Sequence, residues 1–203
     1  MPHPVSMPGS VPDSAAGPKQ HHVCPWFVGY LLASPLRRIL YQPAKVLAPY
    51  VQEGTTVLEP GPGMGFFTIE LARLVGTSGR VIAIDIQPRM LDGLRRRAVK
   101  AGVLERLDLR TAKPDSLGTE DLIGMVDFTL AFAVVHELPD AASFFRDVFR
   151  ASRPEARLLL AEPAGHVSAS EFGAELQAAS AAGLTQIESP KIRRSRAALL
   201  QRS

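Results

Sequence analysis

From residue 56 onward, short apolar runs with strand character alternate with longer segments in which apolar residues recur at helical spacing. Alternation of this kind builds βαβ units, which form a mostly parallel sheet with helices on both faces. Seven strands are predicted, at residues 56–59, 81–85, 107–110, 126–132, 157–161, 184–188 and 196–201. The sequence therefore predicts a doubly wound α/β domain over residues 55–203.

Two segments precede this domain. Residues 1–22 contain many prolines and almost no large apolar side chains, so they are predicted to form a flexible tail. Residues 23–54 are apolar, with Trp26, Phe27 and Tyr30 near their start, and prolines divide them into short predicted helices. This N-terminal helical preface either completes the core or forms a lid over a binding cleft.

Composition narrows the classes of partner. The 23 Lys and Arg residues nearly balance the 20 Asp and Glu residues, so the formal net charge is only +3. One basic cluster, from Arg95 to Lys100, is interpreted as the solvated face of a helix, and another, from Lys191 to Arg196, as a charged edge loop. This interpretation is favoured over a nucleic-acid-binding surface.

The sequence also disfavours disulfide-bonded, metal-binding, membrane-spanning and secreted proteins. A single cysteine, Cys24, excludes an internal disulfide and a multi-thiolate metal site, and no metal is predicted. No apolar run approaches the roughly 18 to 20 residues that a transmembrane helix needs. Because no run of signal-peptide type is visible either, a cytoplasmic protein is expected.

The first predicted strand leads into a glycine-rich turn, Glu59-Pro60-Gly61-Pro62-Gly63-Met64-Gly65-Phe66. The dinucleotide fingerprint is G-x-G-x-x-G, but this turn reads G-x-G-x-G and has Phe66 where the fingerprint has its third glycine. The Glu59 carboxylate would also repel a pyrophosphate. The turn therefore favours a ligand that carries an ammonium or a sulfonium group.

The second predicted strand ends in Asp85. A carboxylate at this position accepts hydrogen bonds from both hydroxyls of a ribose. The alternative is that Asp85 only caps the helix that is predicted to begin near Pro88. On the first reading, the ligand contains a ribose and a positive charge and needs no phosphate.

These residues carry a resemblance to a known family. The stretches VLEPGPGMGFFTIELA and VIAIDIQPRML resemble the first two motifs of the class I S-adenosylmethionine-dependent methyltransferases, and VDFTLAFAVVHELPD and SRPEARLLLAEP continue the pattern. The resemblance implies a Rossmann-like, seven-stranded sheet whose last strand is antiparallel, with S-adenosylmethionine above strands one and two.

The resemblance also implies a set of cofactor-binding residues. Those expected near the methionine moiety are Glu59, Gly61, Pro62, Gly63, Gly65, Ala131, Phe132 and Ala133, those near the adenosine are Asp85 and Ile86, and Ala112, Lys113 and Asp115 are candidates for the adenine. Many family members carry Gly-Asp-Ala after strand three, where this chain has Thr111-Ala112-Lys113-Pro114-Asp115. A second departure is Glu155-Ala156, which stands where the family usually has Gly-Gly before strand five.

Methyl transfer from a sulfonium needs alignment of the acceptor and exclusion of water, and it needs a base only if the acceptor must lose a proton. His136 follows the fourth strand, where it is either a catalytic base or a structural residue. The predicted function is methyl transfer to a small or lipophilic acceptor. A non-catalytic S-adenosylmethionine-binding module and an NAD-dependent oxidoreductase are the alternatives.

Overall fold

The computed structural model describes residues 42–113 and 116–203. The predicted tail, most of the helical preface with Trp26, Phe27 and Tyr30, and the candidate Asp115 lie outside the described residues. The α-helices are α1 (Pro43–Leu47), α2 (Thr68–Leu74), α3 (Pro88–Ala101), α4 (Ala141–Ala151) and α5 (Ala169–Ala181). The strands are β1 (Thr56–Pro60), β2 (Arg80–Asp85), β3 (Leu107–Thr111), β4 (Val126–Phe132), β5 (Ser152–Pro163), β6 (Leu184–Glu188) and β7 (Ser195–Arg202).

The seven strands form one sheet in the order β3-β2-β1-β4-β5-β7-β6. Strands β1 to β5 pair with one another in parallel. Strand β7 pairs antiparallel with both β5 and β6. The predicted fold class is therefore confirmed, including the antiparallel last strand. The strand order reverses between β1 and β4, and ligands of open α/β sheets bind in the crevice beyond the carboxyl ends of the strands at such a point.

Helices cover both faces of the sheet, as predicted. Buried side chains of α2 and α3 pack on one face, and those of α4 and α5 pack on the other. The part of the preface that the structure describes belongs to the first layer, because Leu47 of α1 and Val51 after it are buried in that core. These two residues complete the core. The lid alternative for Trp26, Phe27 and Tyr30 stays a prediction.

The predicted strands were placed correctly, and the largest difference in their bounds lies in β5. The prediction began this strand at residue 157, but the structure begins it at Ser152, which pairs with Val126 before the register shifts. Glu155 lies inside this irregular stretch with a φ of 65°. The early start escaped prediction because residues 152–156 lack the apolar run that marks the rest of β5.

Three 3₁₀ turns complete the fold, at Leu104–Arg106, Glu120–Leu122 and Val135–Glu137. The third follows β4 and brings His136 to the same edge of the sheet as the glycine turn. Within residues 42–113 and 116–203, the search for a helix long and apolar enough to cross a membrane finds none.

Candidate cofactor site and the adjoining histidine cluster

The glycine turn passes close to two neighbouring elements. A Cβ on Gly61 would lie 2.7 Å from Cγ2 of Val134, and a Cβ on Gly65 would lie 2.3 Å from Cδ1 of Leu94. Both glycines also have positive φ values, of 67° and 81°. Close packing therefore excludes a side chain at positions 61 and 65. A Cβ on Gly63, by contrast, would meet no atom within 4 Å, so there is open space beside the centre of the turn.

Helix α3 supports this turn from behind. The Arg97 guanidinium donates a hydrogen bond to the Met64 carbonyl in the middle of the turn, and Gly93 packs against the Met64 side chain. The sequence interpretation assigned Arg97 to a solvated helix face, and that was wrong for this residue, although Arg95 and Arg96 are exposed. The one sequence signal for this contact was the spacing, because Arg97 is three residues from the buried Leu94 and therefore lies on the side of the helix that faces the protein.

Glu59 ends β1 directly before the turn and is almost completely buried, with 4% of its surface exposed. Its Oε2 atom has no hydrogen-bond partner among the described residues. Burial raises the pKa of the Glu59 carboxyl to about 8, the hydroxyl of Thr68 acts in the opposite direction, and the nearby Asp85 raises it further. A buried carboxylate oxygen without a hydrogen bond is costly, so this site favours a ligand that supplies a positive charge and a hydrogen-bond donor.

Asp85 lies at the carboxyl end of β2, the strand next to β1. Its Oδ1 accepts a hydrogen bond of 2.8 Å from the backbone N–H of Gln87. Burial raises the pKa of Asp85, and the backbone N–H groups of Gln87, Gly63 and Ile86 act in the opposite direction. Helix α3 begins at Pro88 as expected, but its N-cap residue is Gln87 and not Asp85.

The structure brings most of the other predicted residues to this edge of the sheet. The side chain of Ile86 is 41% exposed, and Ala112, whose N–H donates to the Asp85 carbonyl, lies beside it at the end of β3. Lys113 is exposed. Ala131 is fully buried in the core, so only its backbone faces the edge, whereas Phe132 and Ala133 are partly exposed.

A cleft beside the turn includes four of the predicted residues, namely Glu59, Gly61, Pro62 and Phe132. It is lined by the end of β1, the start of the glycine turn and the last residues of β4: Glu59, Pro60, Gly61, Pro62, Phe66, Phe67, Leu130 and Phe132. The Phe67 and Phe132 rings pack with their centroids 4.5 Å apart. The cleft is thus apolar on one wall and carries the Glu59 carboxylate on another.

The second group of polar residues lies next to the cleft, at the ends of β4 and β5. His136 in the 3₁₀ turn contacts Glu162 at the end of β5, with 2.5 Å between Nδ1 and Oε2. The hydrogen bond to Glu162 raises the pKa of His136, burial acts in the opposite direction, and the charges of Glu162, Glu137 and Glu175 raise it further. The sequence analysis identified His136 but missed Glu162, because a Glu-Pro at a strand end says nothing about its partners.

No group of three or more His, Cys, Asp or Glu side chains suited to a metal ion occurs among residues 42–113 and 116–203.

A family model described as a methyltransferase domain matches residues 51–195. The chain belongs to this methyltransferase family. The match covers the whole sheet up to the start of β7, and it includes the glycine turn, Asp85, His136 and Glu162. The family is the class I S-adenosylmethionine-dependent type, and S-adenosylmethionine is the cofactor.

Curated relatives carry this family's names. A ubiquinone biosynthesis O-methyltransferase from Methylocella silvestris is 36% identical over 137 residues, which cover 66% of this chain and 51% of that protein. A ubiquinone/menaquinone biosynthesis C-methyltransferase from Pasteurella multocida is 32% identical over 112 residues, which cover 55% of this chain and 41% of that protein. The chain spans about half the length of the curated relatives that it matches.

The fold has a similar solved structure. A SAM-dependent methyltransferase from Aquifex aeolicus superimposes with a TM-score of 0.79 and 24% sequence identity, over 89% of this chain and 100% of that chain. At this level of identity the likeness concerns the fold.

The residues of the methyltransferase fit the chemistry of its cofactor. S-adenosylmethionine has an ammonium group, a sulfonium, a ribose with two hydroxyls and no phosphate. The unpartnered Glu59 oxygen matches the ammonium group, the space at Gly63 admits a chain close to the backbone, and the Asp85 carboxylate matches the hydroxyls. A pyrophosphate at the glycine turn, by contrast, would lie against the Glu59 carboxylate.

Proposed function

We propose that this methyltransferase transfers the methyl group of S-adenosylmethionine to a small or lipophilic acceptor. The observation that carries the proposal is the buried Glu59 carboxyl beside the glycine turn, whose Oε2 has no hydrogen-bond partner among the described residues, with Asp85 on the neighbouring strand. Asp85 suits the ribose of any nucleoside, whereas Glu59 suits a cationic group and opposes a pyrophosphate.

In this proposal the cofactor extends along the carboxyl ends of β2, β1 and β4. Glu59 binds the ammonium group, Asp85 binds the ribose hydroxyls, and Ile86, Ala112 and Lys113 contact the adenine. The methionine moiety passes over the glycine turn and against the last residues of β4, namely Gly61, Pro62, Gly63, Gly65, Ala131, Phe132 and Ala133. The exposure of Ile86 and the open space at Gly63 support this placement.

Two observations support a small or lipophilic acceptor: the names of the relatives and the apolar wall of the cleft. Two relatives are named as enzymes of ubiquinone or menaquinone biosynthesis, and such acceptors are small molecules. The aromatic wall formed by Phe67 and Phe132 supports an acceptor with apolar surface. If Trp26, Phe27 and Tyr30 form a lid, they would add to this surface.

His136 is proposed as the base that takes the proton of the acceptor. When bound, S-adenosylmethionine would supply an electrophilic methyl group together with its own leaving group, a neutral thioether. The acceptor's proton goes to the imidazole. The 23% exposure of the His136 side chain and its place beside Val134, which touches Gly61, support access to the reacting group.

The test is a calorimetric titration of the protein with S-adenosylmethionine, S-adenosylhomocysteine and NAD, followed by a methylation screen of phenolic, quinone-like and other lipophilic small molecules. We expect binding of the first two ligands, no binding of NAD and turnover of at least one acceptor class. Binding of NAD alone would overturn the proposal. Tight cofactor binding without any turnover would favour a non-catalytic binding module on the same fold.

A further inference from the structure

Glu162 lies at the carboxyl end of β5, and both of its carboxylate oxygens have hydrogen-bond partners. It is fully buried, and its Oε1 accepts hydrogen bonds from the backbone N–H groups of Val134, at 3.3 Å, and Val135, at 2.8 Å. Its Oε2 contacts Nδ1 of His136 at 2.5 Å. One carboxylate therefore holds both the backbone of the 3₁₀ turn and the imidazole that this turn presents.

The contact with a carboxylate assigns the proton of the neutral imidazole to Nδ1, because a carboxylate oxygen only accepts hydrogen bonds. The other ring nitrogen, Nε2, then carries the lone pair. Among the described residues Nε2 has no hydrogen-bond partner, and 23% of the His136 side-chain surface is exposed. No described residue therefore forms a hydrogen bond with the nitrogen that can accept a proton.

We propose that Glu162 is a positioning residue for His136, which holds the ring with its proton on Nδ1 and leaves Nε2 to accept the acceptor's proton. This inference rests on the proposed function, in which His136 is the base. Glu162 does not touch the acceptor itself. It acts through the imidazole and through the turn that carries it.

Other charged groups face the same ring. Glu137 lies in the turn itself, Glu175 projects from α5, and the His166 ring lies between β5 and α5 with its centroid 6.4 Å from that of His136. Burial and the neighbouring Glu162 raise the pKa of Glu175 to about 8, and one of its oxygens has no partner among the described residues. Of these groups, only Glu162 contacts a ring nitrogen of His136.

The double role of Glu162 makes the change from carboxylate to amide informative. Two backbone N–H groups require an oxygen at the Oε1 position, so the amide NH₂ of a Glu162→Gln side chain must face Nδ1 of His136. An NH₂ group donates, so Nδ1 must become the acceptor and the ring proton must move to Nε2. The substitution should therefore produce the tautomer that cannot act as a base at Nε2.

The experiment is a pH titration of the ¹⁵N-histidine-labelled full chain by long-range ¹H–¹⁵N NMR, with the His136 signals identified by their loss in His136→Gln. The neutral imidazole of the wild type should be protonated at Nδ1, and that of Glu162→Gln at Nε2 with a lower pKa. The matched control Glu175→Gln removes another carboxyl near the ring and should keep the proton on Nδ1. A wild-type ring protonated at Nε2, or the same tautomer in the wild type and Glu162→Gln, would overturn the inference.

A kinetic arm separates positioning from a merely structural role. With an acceptor from the methylation screen, Glu162→Gln should lower kcat at least 100-fold, within the range for loss of a general base, while KM and S-adenosylhomocysteine affinity change less than about threefold. A folded Glu162→Gln variant with wild-type kcat would contradict the inference. If the variant does not fold, the wild-type and Glu175→Gln spectra still decide the tautomer. Failure of the proposed function would show itself differently, as absent cofactor binding or turnover with the predicted tautomers intact.

Discussion

Strands β1 and β5 end in the same dipeptide, Glu59-Pro60 in one and Glu162-Pro163 in the other. Both glutamates are buried, at 4% and 0% exposure. They differ in their partners. One Glu59 oxygen has no hydrogen bond among the described residues, whereas the two Glu162 oxygens together contact two backbone N–H groups and one imidazole nitrogen.

The difference teaches how the same residue can serve two purposes at one edge of a sheet. A buried carboxylate whose hydrogen bonds are all made by the protein stabilises its neighbours and fixes their geometry. A buried carboxylate that is left without partners costs free energy until a ligand supplies them. In the proposed function, Glu162 therefore fixes the turn that carries His136, and Glu59 pairs with the ligand.

The largest expected effect comes from truncating the bonded glutamate. Glu162→Ala should lower the free energy of unfolding by about 3 to 5 kcal/mol, because two buried backbone N–H groups and the imidazole lose their acceptor. Glu59→Ala is the matched control, since it removes the same atoms from a similarly buried place whose neighbouring side-chain donor is the single hydroxyl of Thr68. Urea denaturation of both variants measures the difference, and equal losses would break the comparison.

Ligand affinity should show the opposite pattern. Glu59→Gln keeps the shape of the side chain but removes the charge that faces the ammonium group, so the Kd for S-adenosylmethionine should rise about 10- to 100-fold, as expected for a lost hydrogen bond between charged groups. Glu162→Gln should change this Kd less than about threefold. Calorimetry on the two variants provides the test, and an unchanged Kd in Glu59→Gln would remove Glu59 from the binding site.

The glycines that follow the two dipeptides sharpen the comparison further. Gly61 has a φ of 67° and Val134 within 2.7 Å of its would-be Cβ, whereas Gly165 has open space around it. Gly61→Ala should therefore cost about 2 kcal/mol of stability through backbone strain and crowding. Gly165→Ala should change stability by less than about 0.5 kcal/mol. Thermal unfolding of the two variants measures the difference. Equal losses of stability in Gly61→Ala and Gly165→Ala would show that the packing at Gly61 is unimportant.

A smaller effect concerns the pH dependence of stability. The pKa of Glu59 rises from 4.5 to about 8 in the folded protein, so between these values the folded state binds more protons than the unfolded state. The stability that Glu59 contributes is then fully present below pH 4.5 and is lost as the pH rises through 8, with a slope of at most about 1.4 kcal/mol per pH unit. Denaturation at pH 5.5, 6.5 and 7.5 should show a shallower decline in Glu59→Gln, with the remainder due to other groups whose pKa is raised in the folded protein, namely Glu175, Asp85 and His136. Parallel curves would contradict a raised pKa at Glu59.

Much of the fold follows from local patterns in the sequence. The apolar runs located all seven strands, and the glycine turn between Glu59 and Phe66 identified the edge at which the ligand is proposed to bind. The start of β5 escaped because Ser152 and Arg153 enter the sheet through pairing with β4 and not through an apolar pattern. Tertiary pairing of this kind overrides local preference.

The candidate site was less accessible to sequence reasoning. Glu59-Pro60 and Glu162-Pro163 read identically, and only the folded chain shows that the turn after β4 brings N–H groups to one of them and none to the other. Arg97 was misjudged for a related reason, since its partner, the Met64 carbonyl, is 33 residues away in the sequence. Hydrogen bonds between distant segments leave no periodic signature along the chain.

The most direct test of the central claim, that Glu59 receives the positive charge of the cofactor, is the number of protons released when S-adenosylmethionine binds at pH 6.5. Below its pKa of about 8 the free Glu59 carboxyl is protonated, and it must lose this proton to pair with the ammonium group. Calorimetric titrations in buffers of different ionisation enthalpy should therefore give a release of about one proton in the wild type and about none in Glu59→Gln. Binding without proton release in the wild type, or the same release in the variant, would contradict the account.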